Sequence, residues 1–343
     1  MKSGLIGSEP LVSGGALYFV ADDGTRGDEL WKSDGTEAGT VIVKDINPGP
    51  GDGTRPGIVD LNGTLFFAAT DGVTGTELWR SDGTAAGTEL VKDIHPSQES
   101  FPVILTAVND TLFFAAEDEA NGIELWKSAG TAQGTVLVKD INPGTNRSFP
   151  NSMVNAGGVR LFRADDGVNG NELWRSDGTL AGTGLVQGDL LPAAFEAIGT
   201  MLYFREAGQQ SPGSPAALWK TFGTTAGTQL VHPLDEGSFE LDLAAVGNTL
   251  FVSVGPTVFD QDLWKSDGTP EGTVALKSIG REIDHHFAGI GNTLYLSVHT
   301  DENGQEPWTS DGTVDGTGLL KDIGIAPRGG QHRQHHRGRQ RFD

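Results

Sequence analysis

Three sets of side chains in this 343-residue sequence could do chemistry. The first is acidic. Asp22-Asp23-Gly24 and Asp165-Asp166-Gly167 each open a loop that closes on more oxygen-bearing residues, Asp28-Glu29 and Asn171-Glu172, and Asp71 stands in a comparable loop. Carboxylates and carbonyls are hard ligands, so calcium is the cofactor such loops would take. The same residues also suit plain acidic hairpins, in which Asp accepts turn amides. The second set is Arg163 and Arg205, with Glu196 and Glu206 near Arg205 in the chain. Guanidinium forks suit carboxylate, sulfate or phosphate, and a local Arg–Glu network is the alternative use. The third is aromatic: seven Trp residues could be platforms for sugar rings or wedges in a core. His285-His286 and His299 match no zinc spacing, and no nucleophile elbow, phosphate loop or His-Glu-x-x-His stands in the chain.

The elements that would position these groups are repeats. Trp31, Trp79, Trp126, Trp174, Trp219, Trp264 and Trp308 fall 48, 47, 48, 45, 45 and 44 residues apart. Around them recurs Glu29-Leu30-Trp31-Lys32-Ser33-Asp34-Gly35-Thr36 followed by Gly39-Thr40, and both Gly-Thr pairs survive in all seven copies. Each copy reads as four strands: a short apolar one, a second such as Thr64 to Ala69 that is apolar on both faces, the Glu-Leu-Trp strand, and one such as Val41 to Ile46. A four-stranded sheet of this size cannot bury both faces alone, so the copies must stack on one another. The expected fold is all-β: a seven-bladed β-propeller over residues 10–323, with an N-terminal extension at 1–9 and a basic, disordered tail at 324–343.

A residue needed once per blade is expected to build the blade. On that ground the Trp set is read as inter-blade packing and Asp-Gly-Thr as turn chemistry. Lys32, Arg80, Lys127, Arg175, Lys220 and Lys265, which share one repeat position, are read as cross-strand ion pairs with Asp34-type or Asp45-type carboxylates. Departures from the repeat say more. One second-strand position is Val20, Ala68, Ala115, Ser253 and Ser297 in five copies but Arg163 and Arg205 in the neighbouring fourth and fifth. These two, with Glu196, are the expected binding residues.

The motif resembles that of the ELWxxDGT-repeat proteins, a bacterial family named for it, over about residues 10–323. Blade 3 departs at Ala129 and blade 5 is the most degenerate, reading Ala217-Leu218-Trp219-Lys220-Thr221-Phe222-Gly223-Thr224. The resemblance implies an exported or surface-associated protein and brings with it no established catalytic activity.

A formal charge of −22 disfavours nucleic acid, which needs clustered Lys and Arg. No apolar run is long enough to span a bilayer, no signal peptide is visible, and with no Cys there is neither a disulfide nor a thiolate nucleophile. The expected function is a monomeric, non-enzymatic extracellular scaffold for binding or adhesion, its partner a glycan or a surface protein. A polysaccharide-acting lyase or hydrolase and a purely structural spacer are the rival expectations.

Overall fold

Seven antiparallel sheets of four strands follow one another along the chain, each in the plain order first, second, third, fourth strand. This is the layout of a seven-bladed β-propeller. In the computed structural model the described residues are 10–323 except 169, 189, 207–216, 235–241, 258–259, 280–282, 284–286 and 301–302. The extension at 1–9, the tail at 324–343 and the His285-His286 pair therefore lie outside them. The sole helical element among the described residues is a single 3-10 turn, Thr225–Gly227, and no helix is long and apolar enough to cross a membrane.

The chain divides into two compact units, residues 1–233 with blades 1 to 5 and residues 234–343 with blades 6 and 7. In the first unit the first strands of successive blades lie against one another. Blade 2 is built from Val59–Leu61, Thr64–Thr70, Thr76–Ser81 and Glu89–Lys92, and blade 3 from Val103–Val108, Thr111–Asp118, Gly122–Ser128 and Val136–Lys139. Blade 4 comprises Asn151–Ala156, Val159–Asp165, Asn171–Ser176 and Gly184–Gln187. The second strands of blades 2 and 3 are buried on both faces, as Leu65, Phe66, Phe67, Ala68 and Ala69 show in blade 2.

Five of the Trp residues pack between blades. Trp79 of blade 2 joins Tyr18, Leu30 and Val43 of blade 1; Trp126 of blade 3 joins Phe66, Leu78 and Val91 of blade 2; Trp174 of blade 4 joins Phe113, Leu125 and Val138 of blade 3. Trp219 of blade 5 is half-buried against the blade 4 core. In the second unit Trp308 of blade 7 sits against Phe251, Leu263 and Leu276 of blade 6. A flat ring with a large apolar area suits that wedge.

Asp-Gly-Thr is a turn. In blade 2, Asp82 Oδ1 accepts the Thr84 N–H at 2.9 Å and its hydroxyl at 2.7 Å, while the Thr88 hydroxyl donates to the Thr84 carbonyl at 2.7 Å. The intervening Gly83 has φ +83°, a conformation that side chains disfavour. Blade 3, with Ala129 in place of Asp, keeps the corresponding Thr135–Thr131 bond at 2.8 Å.

The repeated cations are a correction to the expected ion pairs. Lys32 donates to the carbonyl of Gly83 in the next blade at 2.8 Å, Lys127 to Gly178 at 2.7 Å, and Lys265 to Gly312 at 2.6 Å. Arg80 and Arg175 do the same to Gly130 and Gly223. Arg80 also forms a cross-strand pair, with Glu89 rather than Asp. A backbone carbonyl at the tip of a glycine turn is accessible and needs a donor, and the long cation reaches it across the blade gap.

Candidate functional site

The first strands of blades 3, 4 and 5 each begin with a β-bulge. The register slips between Phe113 and Ala115, between Asn151 and Val154, and between Ala193 and Phe195. Inside each bulge one residue adopts left-handed backbone without being glycine: Ile104 at φ +57°, Ser152 at +53° and Ala194 at +48°. Phe101 and Phe149, each just before a proline, are also left-handed, at +44° and +46°. Such conformations cost on the order of 1–3 kcal/mol each and concentrate at functional sites; for β-branched Ile104 the conformation is a true outlier. Bulges re-aim side chains. Here they leave Phe101, Val103 and Ile104 exposed by 52%, 49% and 43%, in contrast to the buried second strands.

These residues line an open cleft of about 480 Å³ between blades 2 and 3. Its walls include Ile58, Ala68, Phe101, Val103 and Ile104, with Arg55 at one side. The volume falls within the range of small-molecule sites, which are mostly apolar with a few placed polar groups. One polar group in the wall is Thr76, which is 1% exposed and whose hydroxyl has no hydrogen-bond partner. A buried hydroxyl without a partner is costly, so the wall holds an unused donor and acceptor.

Blade 4 puts different chemistry at the equivalent positions. Ala68 faces Leu78 across the second and third strands of blade 2, with Thr76 two residues before Leu78; in blade 4, Arg163 faces Leu173 and Asn171 comes two residues before it. Arg163 and Asn171 thus take the places of Ala68 and Thr76. Burial alone depresses the Arg163 guanidinium. Arg205 holds the same register place in blade 5, facing Leu218. Glu196 is opposite Tyr203 and Ala193 opposite Arg205, and both Arg205 and Glu196 engage other groups. Glu206 accepts the Trp219 indole N–H at 3.1 Å. Arg160 lies with its guanidinium carbon 4.0 Å from the centre of the Phe113 ring and donates to the Gly158 carbonyl.

The acidic loops are tied up in turns. Asp22 Oδ1 accepts the Gly24 N–H at 2.7 Å, and Asp23 accepts from Thr25 and pairs with Arg26 at 2.6 Å. Asp71 Oδ1 takes both the Val73 and Thr74 N–H groups and the Thr74 hydroxyl. Asp165 and Asp166 accept from Gly167 and Val168. Among the described residues no three His, Asp or Glu side chains converge as a metal set.

Sequence reasoning took Glu29 and Glu172 for loop oxygens and missed the structural part the motif glutamates play. Glu77 accepts the Ile94 N–H, the Ser100 N–H and the Ser100 hydroxyl, and Glu124 accepts from Ile141, Asn142 and Ser148 in the same way. Each pins the crossing to the next blade. Burial pushes Glu29 and Glu124 up to about 7, and raises Glu77. The bulges were also missed, although a spacing signals them. Pro56 precedes Ala68 by 12 residues, whereas Pro102, Pro150 and Pro192 precede Ala115, Arg163 and Arg205 by 13.

No family model and no curated protein matches the sequence. Solved structures do match the fold. A puromycin hydrolase, solved as its S511A mutant with PGG, aligns with a TM-score of 0.52 at 13% identity over 94% of this chain and 55% of its own. A structure from a study of two prolyl endopeptidases aligns at 0.53 and 12% identity, over 91% of this chain and 49% of its own. This chain therefore spans about half the length of the proteins it matches. At such identities the likeness establishes the fold alone. The expected non-enzymatic adhesion scaffold is nevertheless corrected: solved structures that share this fold along more than nine-tenths of the chain include puromycin hydrolase and a prolyl endopeptidase.

Proposed function

We propose that this chain is the propeller part of a peptide-hydrolysing enzyme, and that the cleft between blades 2 and 3 seats an apolar residue of the substrate. The observation that carries this reading is the cleft itself: about 480 Å³ of largely apolar space, walled on one side by the bulged, strained first strand of blade 3, with the Thr76 hydroxyl unused. Strain of this kind persists only where surrounding structure enforces it. The hydrolase and endopeptidase matches supply the reaction class. In this reading the bond-breaking groups belong to a separate catalytic unit, and the propeller admits and holds substrate.

The test is a titration of the chain with short peptides whose central residue is Ala, Leu or Phe. Saturation-transfer NMR reads binding and chromatography reads cleavage. Leu and Phe peptides should bind saturably and be recovered intact, and Ile104→Lys should abolish binding while leaving the fold unchanged by circular dichroism. Indifference to every peptide would overturn the reading. Cleavage by the chain alone would place the catalytic groups within it and defeat the division of labour.

A further inference from the structure

Among the described residues Arg163 is a cation without a counter-ion. Its Nε is buried and unbonded, and no hydrogen bond or ion pair joins the side chain to any described residue. The terminal nitrogens are not among the buried unbonded atoms, so what solvent contact the head has lies at its tip. Asp165, two residues on along the same face, turns its carboxylate to the Gly167 N–H. Asn151, opposite on the first strand, spends its amide on the Phe149 carbonyl. On the third strand Asn171 Oδ1 is also buried and unbonded. The two ends of a carboxamide are interchangeable by rotation, so Asn171 can present an N–H₂ donor in that place. Two polar groups on one face of blade 4, at the positions that wall the cleft in blade 2, thus lack partners.

We propose that Arg163 and Asn171 form a binding site for a carboxylate. A half-buried guanidinium left unpaired is unfavourable, and a planar two-oxygen acceptor meets its two terminal amino groups end-on. The charge selects the ligand. Arg160, the nearest cation along the strand, is committed to the Phe113 ring and the Gly158 carbonyl. One free positive charge in a chain of net −22 suits a monoanion and repels sulfate or phosphate dianions. The second-strand substitution that breaks the repeat therefore converts an apolar inter-blade space into a cationic one. This site stands independently of what occupies the blade 2–3 cleft.

The experiment follows the arginine Nε–Hε resonances by NMR in the intact chain at constant ionic strength. The resonance absent from Arg163→Met, which keeps the apolar stem, is that of Arg163. Sodium acetate should shift it saturably where sodium chloride and sulfate do not, and should raise the melting temperature of the wild type but not of Arg163→Met, because a ligand bound only by the native state stabilises it. Arg163→Lys should bind more weakly, since an ammonium lacks the planar fork. A peptide with a free C-terminus and its amidated twin separate a peptide-borne carboxylate from a free one: a shift with acetate and with the free peptide, absent with the amide, supports a general carboxylate site. An Arg163 resonance indifferent to acetate, or an equal thermal gain in Arg163→Met, would overturn the proposal.

Discussion

Lys92 at the end of blade 2 places its ammonium 5.4 Å from the centre of the Trp126 ring in blade 3 and donates to the Thr135 carbonyl of that blade at 2.9 Å. Lys44, Lys139 and Lys277 repeat the arrangement over Trp79, Trp174 and Trp308. Each blade boundary so built carries an apolar wedge held under a cation, which is itself anchored to the neighbour's backbone.

Lys92→Met should therefore destabilise the chain although it keeps the apolar stem. The lost cation–π contact and hydrogen bond together predict a loss of about 1–3 kcal/mol, read as a lower urea midpoint. An unchanged midpoint would mean that the ring alone holds the boundary.

The motif glutamates make stability depend on pH in an uncommon direction. Glu29 and Glu124, ordinarily at 4.5, titrate at about 7 in the folded chain because burial disfavours the charged carboxylate. As pH rises the unfolded chain loses these protons first, so their contribution is full below 4.5 and is lost by about 7. The turn residues Asp34, Asp82, Asp177 and Asp311 act in the other direction. The Thr hydroxyl and N–H beside each hold it below 3.8, so their contribution is present above that value and fades as pH falls. Denaturation between pH 3 and 8 should show greatest stability at roughly pH 4–5, and Glu124→Gln should flatten the decline toward pH 8.

Ile104→Gly should stabilise the fold and damage the cleft together. Glycine adopts φ +57° freely, so relief of strain favours the variant by about 1 kcal/mol. The side chain it removes is one of the exposed walls. A higher melting temperature with weaker peptide binding is the expected pair of results. A lower melting temperature would show that the side chain contributes more by packing than its backbone costs.

In the acidic loops, Asp71→Ala should lower stability by about 1–2 kcal/mol, because one oxygen serves three donors there. Chelator should leave the wild-type melting curve in place. A chelator-dependent fall, abolished in Asp71→Ala, would show that the loop exchanges its turn bonds for metal.

How much of this was legible in the residues depends on range. Trp spacing and paired Gly-Thr steps gave the blades, because both are local and repeated. The acceptors of Lys32 and Lys127 were not legible, since each lies 51 residues onward and is a backbone carbonyl that no residue type announces. Asp34 and Asp45 looked like partners only because they are near in sequence. Arg163 stood out as a break in a periodic column, but its lack of a counter-ion belongs to three dimensions. The strained bulges show in sequence only as one residue more after Pro102, Pro150 and Pro192.

The Lys-to-carbonyl bonds of Lys32, Lys44, Lys92, Lys127, Lys139 and Lys265 run one way, from a blade to its successor. A repeat so wired offers a donor on its leading side and an acceptor on its trailing side, like a tile that fits any other cut to the same outline. Excising or duplicating a whole unit among blades 1 to 3 would bring a familiar donor to a familiar acceptor at the new junction. The junction of blades 4 and 5 keeps the third-strand bond, from Arg175 to Gly223, but breaks the outline at the fourth strand. Gln187 stands where Lys44, Lys92 and Lys139 stand, and a Thr225 hydroxyl donates to the Val186 carbonyl instead. Shuffling of repeats should be tolerated on one side of that seam and resisted across it, so that lineages of such proteins grow or shrink at their regular blades and keep the irregular pair intact.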